Sequence, residues 1–344
     1  MEEFVLVLDA RSLVLPVVGA PMAGGPSTPE LVAAVNSAGG IGFLAAGYRS
    51  AAQVAEQIAQ VRALSTGPVG VNLFVMADEP VDLASVRVYG AMLAVEAERL
   101  GVELGRPLWD DDGLADKLEV AFDLRPEMVS FTFGTPGADV LHRLAGLGIT
   151  TAVTVTSVDE ALLAVGHGTD VLVVQGPEAG GHRGTFRVSD EPSSLPLTEL
   201  VPAIVSLGSV PVVAAGGIMT ASQASELLRK GAVAVQVGTA LLDTDEAGTA
   251  ATHRAALHDP LIDGTVVTRA FTGRPARSLA NRFAREHPDA PAAYPHIHHL
   301  TAPLRAAAMR VGDASTAHLW AGAGYRNLQP GPARDVVLSI GAAA

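Results

Sequence analysis

Val171-Leu172-Val173-Val174-Gln175-Gly176-Pro177-Glu178-Ala179-Gly180-Gly181-His182-Arg183-Gly184 is the stretch on which the reading of this chain turns. Its first four residues are apolar and mostly β-branched, the composition of a strand buried on both faces of a parallel sheet. The strand then runs into a loop too rich in glycine merely to turn. In a barrel of alternating strands and helices, loops at the C-terminal strand ends build the site, so this loop is where chemistry is expected.

Working outward, the same pattern recurs in both directions. Eight strand-like runs are read: Val17–Met22, Gly40–Ala46, Val69–Phe74, Val129–Phe133, Thr150–Val155, Val171–Gly176, Pro211–Gly217 and Ala234–Gly238. Segments of helical period separate them, among them Pro29–Ala38, Ala51–Ala63, Asp139–Ala145, Val158–Val165 and Ala221–Lys230. Plausible N-caps precede them: Ser27 or Thr28, Ser50, Ser157 and Thr220, with Ser157 and Glu160 at capping-box spacing. Strict alternation predicts a (β/α)₈ TIM barrel, since an open sheet would leave two exposed edges.

Two connections exceed what a plain barrel needs. One spans residues 77–127, with a helix-like Val86–Glu103 and an acidic turn at Asp110–Asp112. The other follows the eighth strand and adds a helical subdomain. The expected organisation is a barrel over residues 1–240, a helical lid over 241–309, and a C-terminal segment, 310–344, that returns to the barrel.

Composition narrows the function. The 344 residues carry a formal charge of −13 with no basic cluster, which argues against a nucleic-acid partner. Cysteine is absent, so thiolate chemistry, disulfides and Cys-ligated metals are excluded. An acidic start at Glu2-Glu3 lacks the basic region of a signal peptide, and no apolar run is long enough for a bilayer; a cytoplasmic location without membrane attachment is expected. Helix faces rich in Ala and Leu serve internal packing or subunit pairing alike, so a homo-oligomer stays open.

Strand ends supply the candidate site. Ala215-Gly216-Gly217-Ile218 and Gln236-Val237-Gly238-Thr239 lie where barrel phosphate sites form, although glycines there also serve tight turns. Gln175 offers an amide, and Gly180 and Gly181 remove side chains beside His182. On its own His182 fits a surface histidine or a general base near neutral pH. Asn72 closes a buried run, and Met22 follows the first strand. Gly40-Ile41-Gly42-Phe43-Leu44-Ala45 matches a dinucleotide fingerprint but opens a strand instead of following one. His296-x-His298-His299 lacks accompanying carboxylates, and no metal is expected. Arg274 and Arg277 fit an anion site or plain structural pairing equally well.

Taken together, Gly19–Met22, Gly39–Gly42, Gly70–Phe74, Val129–Phe133 with Gly134, Gln175–Gly184, Ala215–Ile218, Gln236–Thr239, Phe271–Arg277 and Leu319–Gly324 resemble the nitronate monooxygenase family. The resemblance implies an FMN-dependent barrel that oxidises a small nitronate or nitroalkane with O2 to a carbonyl compound and nitrite. It implies FMN contacts from Met22, Asn72, Gln175, Gly180, Gly217, Gln236, Val237, Gly238 and Thr239, with Gly181 and Gly216 beside them, and a catalytic base at His182. The Trp320 stretch is similar to bacterial members of class I, which points to propionate 3-nitronate. Thr132 departs from the histidine that many of these carry. A flavin-dependent enoyl-[acyl carrier protein] reductase, which shares the barrel and a Gly-Gly-His loop, and an FMN-binding barrel without turnover are the rival readings.

Overall fold

The computed structural model describes residues 13–208 and 210–342. Eight parallel strands close into one barrel: β1 (Val17–Gly19), β2 (Ile41–Ala45), β3 (Val69–Phe74), β4 (Met128–Thr132), β5 (Thr150–Val155), β6 (Val171–Gln175), β8 (Val212–Ala215) and β9 (Ala234–Val237). Closure comes from β9 returning to β1, with Val18 opposite Gln236. All eight correspond to the expected runs. The first is shorter than read, because the chain turns after Gly19 and Met22 donates its N–H to Ser27 Oγ.

Helices follow the strands because their entries are capped and one face is apolar. Thr28, Ser50, Ser157 and Thr220 each accept a backbone N–H in the first turn, worth roughly 1 kcal/mol apiece. Ser50 and Thr220 form full capping boxes, with Gln53 and Gln223. Glu160 does not close the expected box. Its buried carboxylate instead accepts from Thr156 and from the Phe186 N–H, so it ties the end of the β6 loop to the barrel.

Side-chain alternation then divides the core. Val18, Ile41, Phe43, Met128, Ala152, Val171, Val173, Val213 and Ala234 fill the barrel interior, and the opposite faces of the strands pack on the helices. Full burial of each large aliphatic side chain contributes about 1.5–3 kcal/mol. Gly40 and Gly42 belong to this packing: a Cβ on Gly40 would lie 2.3 Å from the Val17 carbonyl oxygen, and one on Gly42 would lie 2.6 Å from Val32 Cα. Close strand–helix contact, not a dinucleotide, explains these glycines.

The two long connections meet over the barrel mouth. The first contains the helices Leu83–Met92 and Ala94–Leu100, broken at Leu93 where one continuous helix is predicted. Val86, Tyr89 and Leu93 pack with Phe271, Phe283, Ile297, Leu300 and Leu304 of the second. That second segment is not helical throughout. It holds β10 (Thr265–Thr268) and β11 (Ala276–Leu279), and β11 pairs antiparallel with β7 (Gly181–His182). A two-residue strand in a glycine-rich loop carries no periodic signal, so it is invisible in the sequence.

Candidate active site

The C-terminal strand ends enclose a cavity of about 210 Å³. Met22, Asn72, Gln175, Gly180, Gly181, His182, Gly216, Gly217, Gln236, Val237, Gly238 and Thr239 all border it, so the structure brings together the residues expected to hold FMN and the expected base, while Arg274, Arg277 and the His296–His299 cluster do not line it. They do not all present free polar groups. Asn72 Nδ2 lies 2.9 Å from Ser130 Oγ and 2.9 Å from Thr132 Oγ1, leaving its carbonyl oxygen as the available acceptor. Gln175 donates from Nε2 to the His182 carbonyl at 3.1 Å and accepts the Gly184 N–H at 2.9 Å. Its amide mainly shapes the loop that carries His182.

The glycines divide into two kinds. Gly216 and Gly217 adopt φ of +119° and +69°, and a Cβ on Gly217 would lie 2.6 Å from Glu178 Cβ. Any side chain there would be strained and obstructed. At Gly180 the obstacle is the C-terminal segment: a Cβ would lie 2.5 Å from the Gly322 nitrogen. Gly322 in turn donates to Thr239 Oγ1 at 2.9 Å, joining the β9 and β6 loops through one returning strand of chain.

His182 hangs over this floor inside a wall of rings. Phe133 and Tyr294 lie 5.7 Å from it and Trp320 lies 5.3 Å away, centroid to centroid. Its Nε2 is 2.9 Å from Thr272 Oγ1. Burial, reinforced by the positive charges of Arg274 and Arg305, pushes the imidazole down to about 3. The ring is therefore neutral near pH 7 and keeps a lone pair. Burial, followed by the charge of Arg305, lowers His298 to about 2 and holds His318 well below the ordinary range.

The guanidiniums near His182 have no carboxylate partner among the described residues. Arg274 is 1% exposed, stacks 4.1 Å from the centroid of Phe133 and donates to the Thr185 carbonyl at 2.6 Å. Arg305 donates to Thr301 Oγ1 and to His298. Arg277 clamps the Pro177 carbonyl with two donors. Of the two readings for these arginines, Arg277 takes the structural one, while Arg274 and Arg305, without ion-pair partners among the described residues, lend the roof positive charge. Such a field favours an anionic guest, because an unpaired buried cation is costly.

Several residues here escaped the sequence reading. Tyr48, with φ of +67°, stacks on His298 at 4.3 Å, and its hydroxyl lies 3.3 Å from that of Tyr294. Phe133 is also left-handed, at φ +77°, a strained state concentrated at functional sites. Tyr48 follows β2 as Met22 follows β1, and that position was the available signal. Thr272 lies inside the Phe271–Arg277 stretch of the family resemblance but had no role assigned there, and Arg305, on a helix outside the barrel strands, had no signal. The His296–His299 cluster supplies no metal set: His298 faces Arg305 and His299 pairs with Asp110.

A closed parallel barrel with a glycine-lined cavity at its strand ends and a desolvated histidine above it defines a TIM-barrel enzyme. A family model described as nitronate monooxygenase matches residues 7–342. A probable nitronate monooxygenase of Staphylococcus aureus strain MSSA476 is 35% identical over 337 residues, covering 96% of this chain and 94% of that protein. The structure is similar to that of nitroalkane oxidase from Streptomyces ansochromogenes, with a TM-score of 0.92 and 47% identity over 96% of this chain and 95% of the other. FabK from Thermotoga maritima, at 22% identity and a TM-score of 0.73 over 96% and 93% of the two chains, shares the fold. This chain belongs to the nitronate monooxygenase family and is a flavin-dependent oxidoreductase.

Proposed function

We propose that the chain is an FMN-dependent enzyme that oxidises small alkyl nitronates with dioxygen to a carbonyl compound and nitrite, propionate 3-nitronate being one candidate. The observation that carries this reading is a neutral, ring-enclosed His182 above a glycine-lined floor, within the charge of Arg274 and Arg305, neither of which has a carboxylate partner among the described residues. A nitronate is a small anion whose charge suits that field.

The residues fit a flat ligand with a phosphate tail. Gly216 and Gly217, with Gln236, Val237, Gly238 and Thr239, offer backbone donors where barrel phosphate sites form. Met22, Asn72, Gln175, Gly180 and Gly181 border the space a flat ring needs. A Cβ on Gly181 would meet no atom within 4 Å, so the loop leaves room for a ligand face. Bound there, FMN would supply the redox chemistry, an electron acceptor for the nitronate that can be reoxidised by dioxygen.

The protein's own part is positional and electrostatic. Phe133, Tyr294 and Trp320 exclude bulk water around His182, which strengthens every charge interaction in the cavity. Arg274 and Arg305 favour the anion. A neutral nitroalkane first loses its α-proton to the imidazole of His182; an ionised nitronate needs only to be oriented by it. Anaerobic mixing of the yellow protein with ethyl nitronate or NADH tests the reading. Bleaching of the flavin by the nitronate is expected, and bleaching by NADH alone overturns it in favour of a reductase.

A further inference from the structure

We propose that Thr272 is a positioning residue for His182: its hydroxyl accepts a hydrogen bond from Nε2–H, which leaves Nδ1 as the nitrogen that receives the substrate proton. For its substrate this rests on the nitronate-oxidising reading given above. The contact itself does not. Nε2 and Thr272 Oγ1 are 2.9 Å apart, and Nδ1 has no protein partner among the described residues. Thr272 is 1% exposed, so water does not compete for its hydroxyl. That hydroxyl has its own outlet in the Arg274 carbonyl, 3.4 Å away within the same turn. With its hydrogen there, Oγ1 accepts from Nε2–H, and the neutral ring is left with its lone pair on Nδ1.

A histidine base is commonly oriented through its second nitrogen by a carboxylate, which also stabilises the imidazolium. Here a neutral hydroxyl stands in that place. It fixes the ring without adding negative charge, so burial, reinforced by Arg274 and Arg305, keeps the resting imidazole unprotonated. The other groups that face His182 add no negative charge either: Phe133 and Trp320 are apolar, His298 and His318 are neutral, and burial holds the Tyr294 hydroxyl protonated.

A charge to balance the imidazolium therefore has to come with the substrate. When a nitroalkane C–H breaks, the proton bonds to Nδ1 and the electron pair stays on the nitronate. The two new charges face each other and the net charge of the site is unchanged. Throughout, Nε2–H remains on Thr272.

Two measurements decide the matter. In the first, Thr272→Val and Thr272→Ser are compared on nitroethane and on preformed ethyl nitronate. Thr272→Val is expected to lower kcat/KM for nitroethane about 100-fold, to change that for ethyl nitronate less than about threefold, and to flatten the pH profile with nitroethane; Thr272→Ser restores both. Equal activity of Thr272→Val and wild type on nitroethane, or equal loss on both substrates, overturns the proposal. In the second, ¹⁵N spectra of histidine-labelled wild-type protein, assigned by the signal lost in His182→Asn, read the tautomer without any turnover. A proton on Nε2 is expected, and a proton on Nδ1 overturns the assignment. Should neither substrate bleach the wild-type flavin, the oxidase reading fails while the spectrum still decides the role of Thr272.

Discussion

The floor of the cavity is made from strand ends and the roof from the turn after β4, the loop after β6, the connection after β9 and the C-terminal segment, and the two obey different physics. On the floor, β1, β3, β6, β8 and β9 deliver Met22, Asn72, Gln175, Gly216–Gly217 and Gln236–Thr239 at positions fixed by barrel register. Polar groups there are largely engaged with one another, as Asn72 is with Ser130 and Thr132. In the roof, Phe133, Tyr294 and Trp320 surround His182, while Arg274 and Arg305 bring charge without carboxylate partners among the described residues. A floor of this kind holds a ligand by shape; a roof of this kind acts on it by field and proton transfer.

Removing the central group of the roof should have the largest effect. His182→Asn is expected to cut kcat/KM for nitroethane by roughly 10²–10⁴-fold while the visible flavin spectrum is retained. Full activity with nitroethane would mean that proton transfer does not run through this ring. Acid is the next strongest perturbant, and the roof histidines respond to it. His182, His298 and His318 have folded-state values far below the ordinary 6.5, so the unfolded chain binds more protons as pH falls. Stability is then complete above about pH 6.5 and declines as pH drops toward 3, by up to about 1.4 kcal/mol per pH unit for each histidine. Denaturant melts at pH 7, 5.5 and 4.5 would measure it, and unchanged midpoints would contradict the desolvated roof.

The floor should answer differently. Gly217→Ala forces a Cβ into a left-handed position against Glu178, with an expected loss of about 1–3 kcal/mol and weaker flavin retention on gel filtration. Retention equal to wild type would remove Gly217 from the cradle. The smallest effect is expected from Arg305→Met. Taking away one cation should raise the apparent pKa of His182 by up to about one unit, read from the acid limb of the nitroethane pH profile. A shift downward would show that the field of the roof has another source.

The same division governs what could be read from the chain. Floor residues follow apolar runs of fixed period and stand at strand ends, so Gln175, Gly217 and Gln236 announce themselves. Their orientation did not: nothing in the spacing tells that the Gln175 amide turns back on its own loop. Roof residues come from segments with no period to count. Thr272 lies in the turn before β11, and Arg305 lies on the helix His296–Val311 among residues that resemble any packed helix. Both gain their meaning from contacts made across long stretches of chain: Thr272 meets His182, 90 residues away. Tyr48 is intermediate, legible by its place after β2 yet dependent on His298 and Tyr294 for its setting.

Gly180 sits against Ala321 and Gly322, so the loop that carries His182 is fastened by a part of the chain made after all eight barrel strands. During synthesis the eight barrel strands leave the ribosome well before that fastener exists, and domains begin to fold as they emerge. The nascent barrel therefore waits with its mouth unlatched until residues 319–325 emerge and lock the loop.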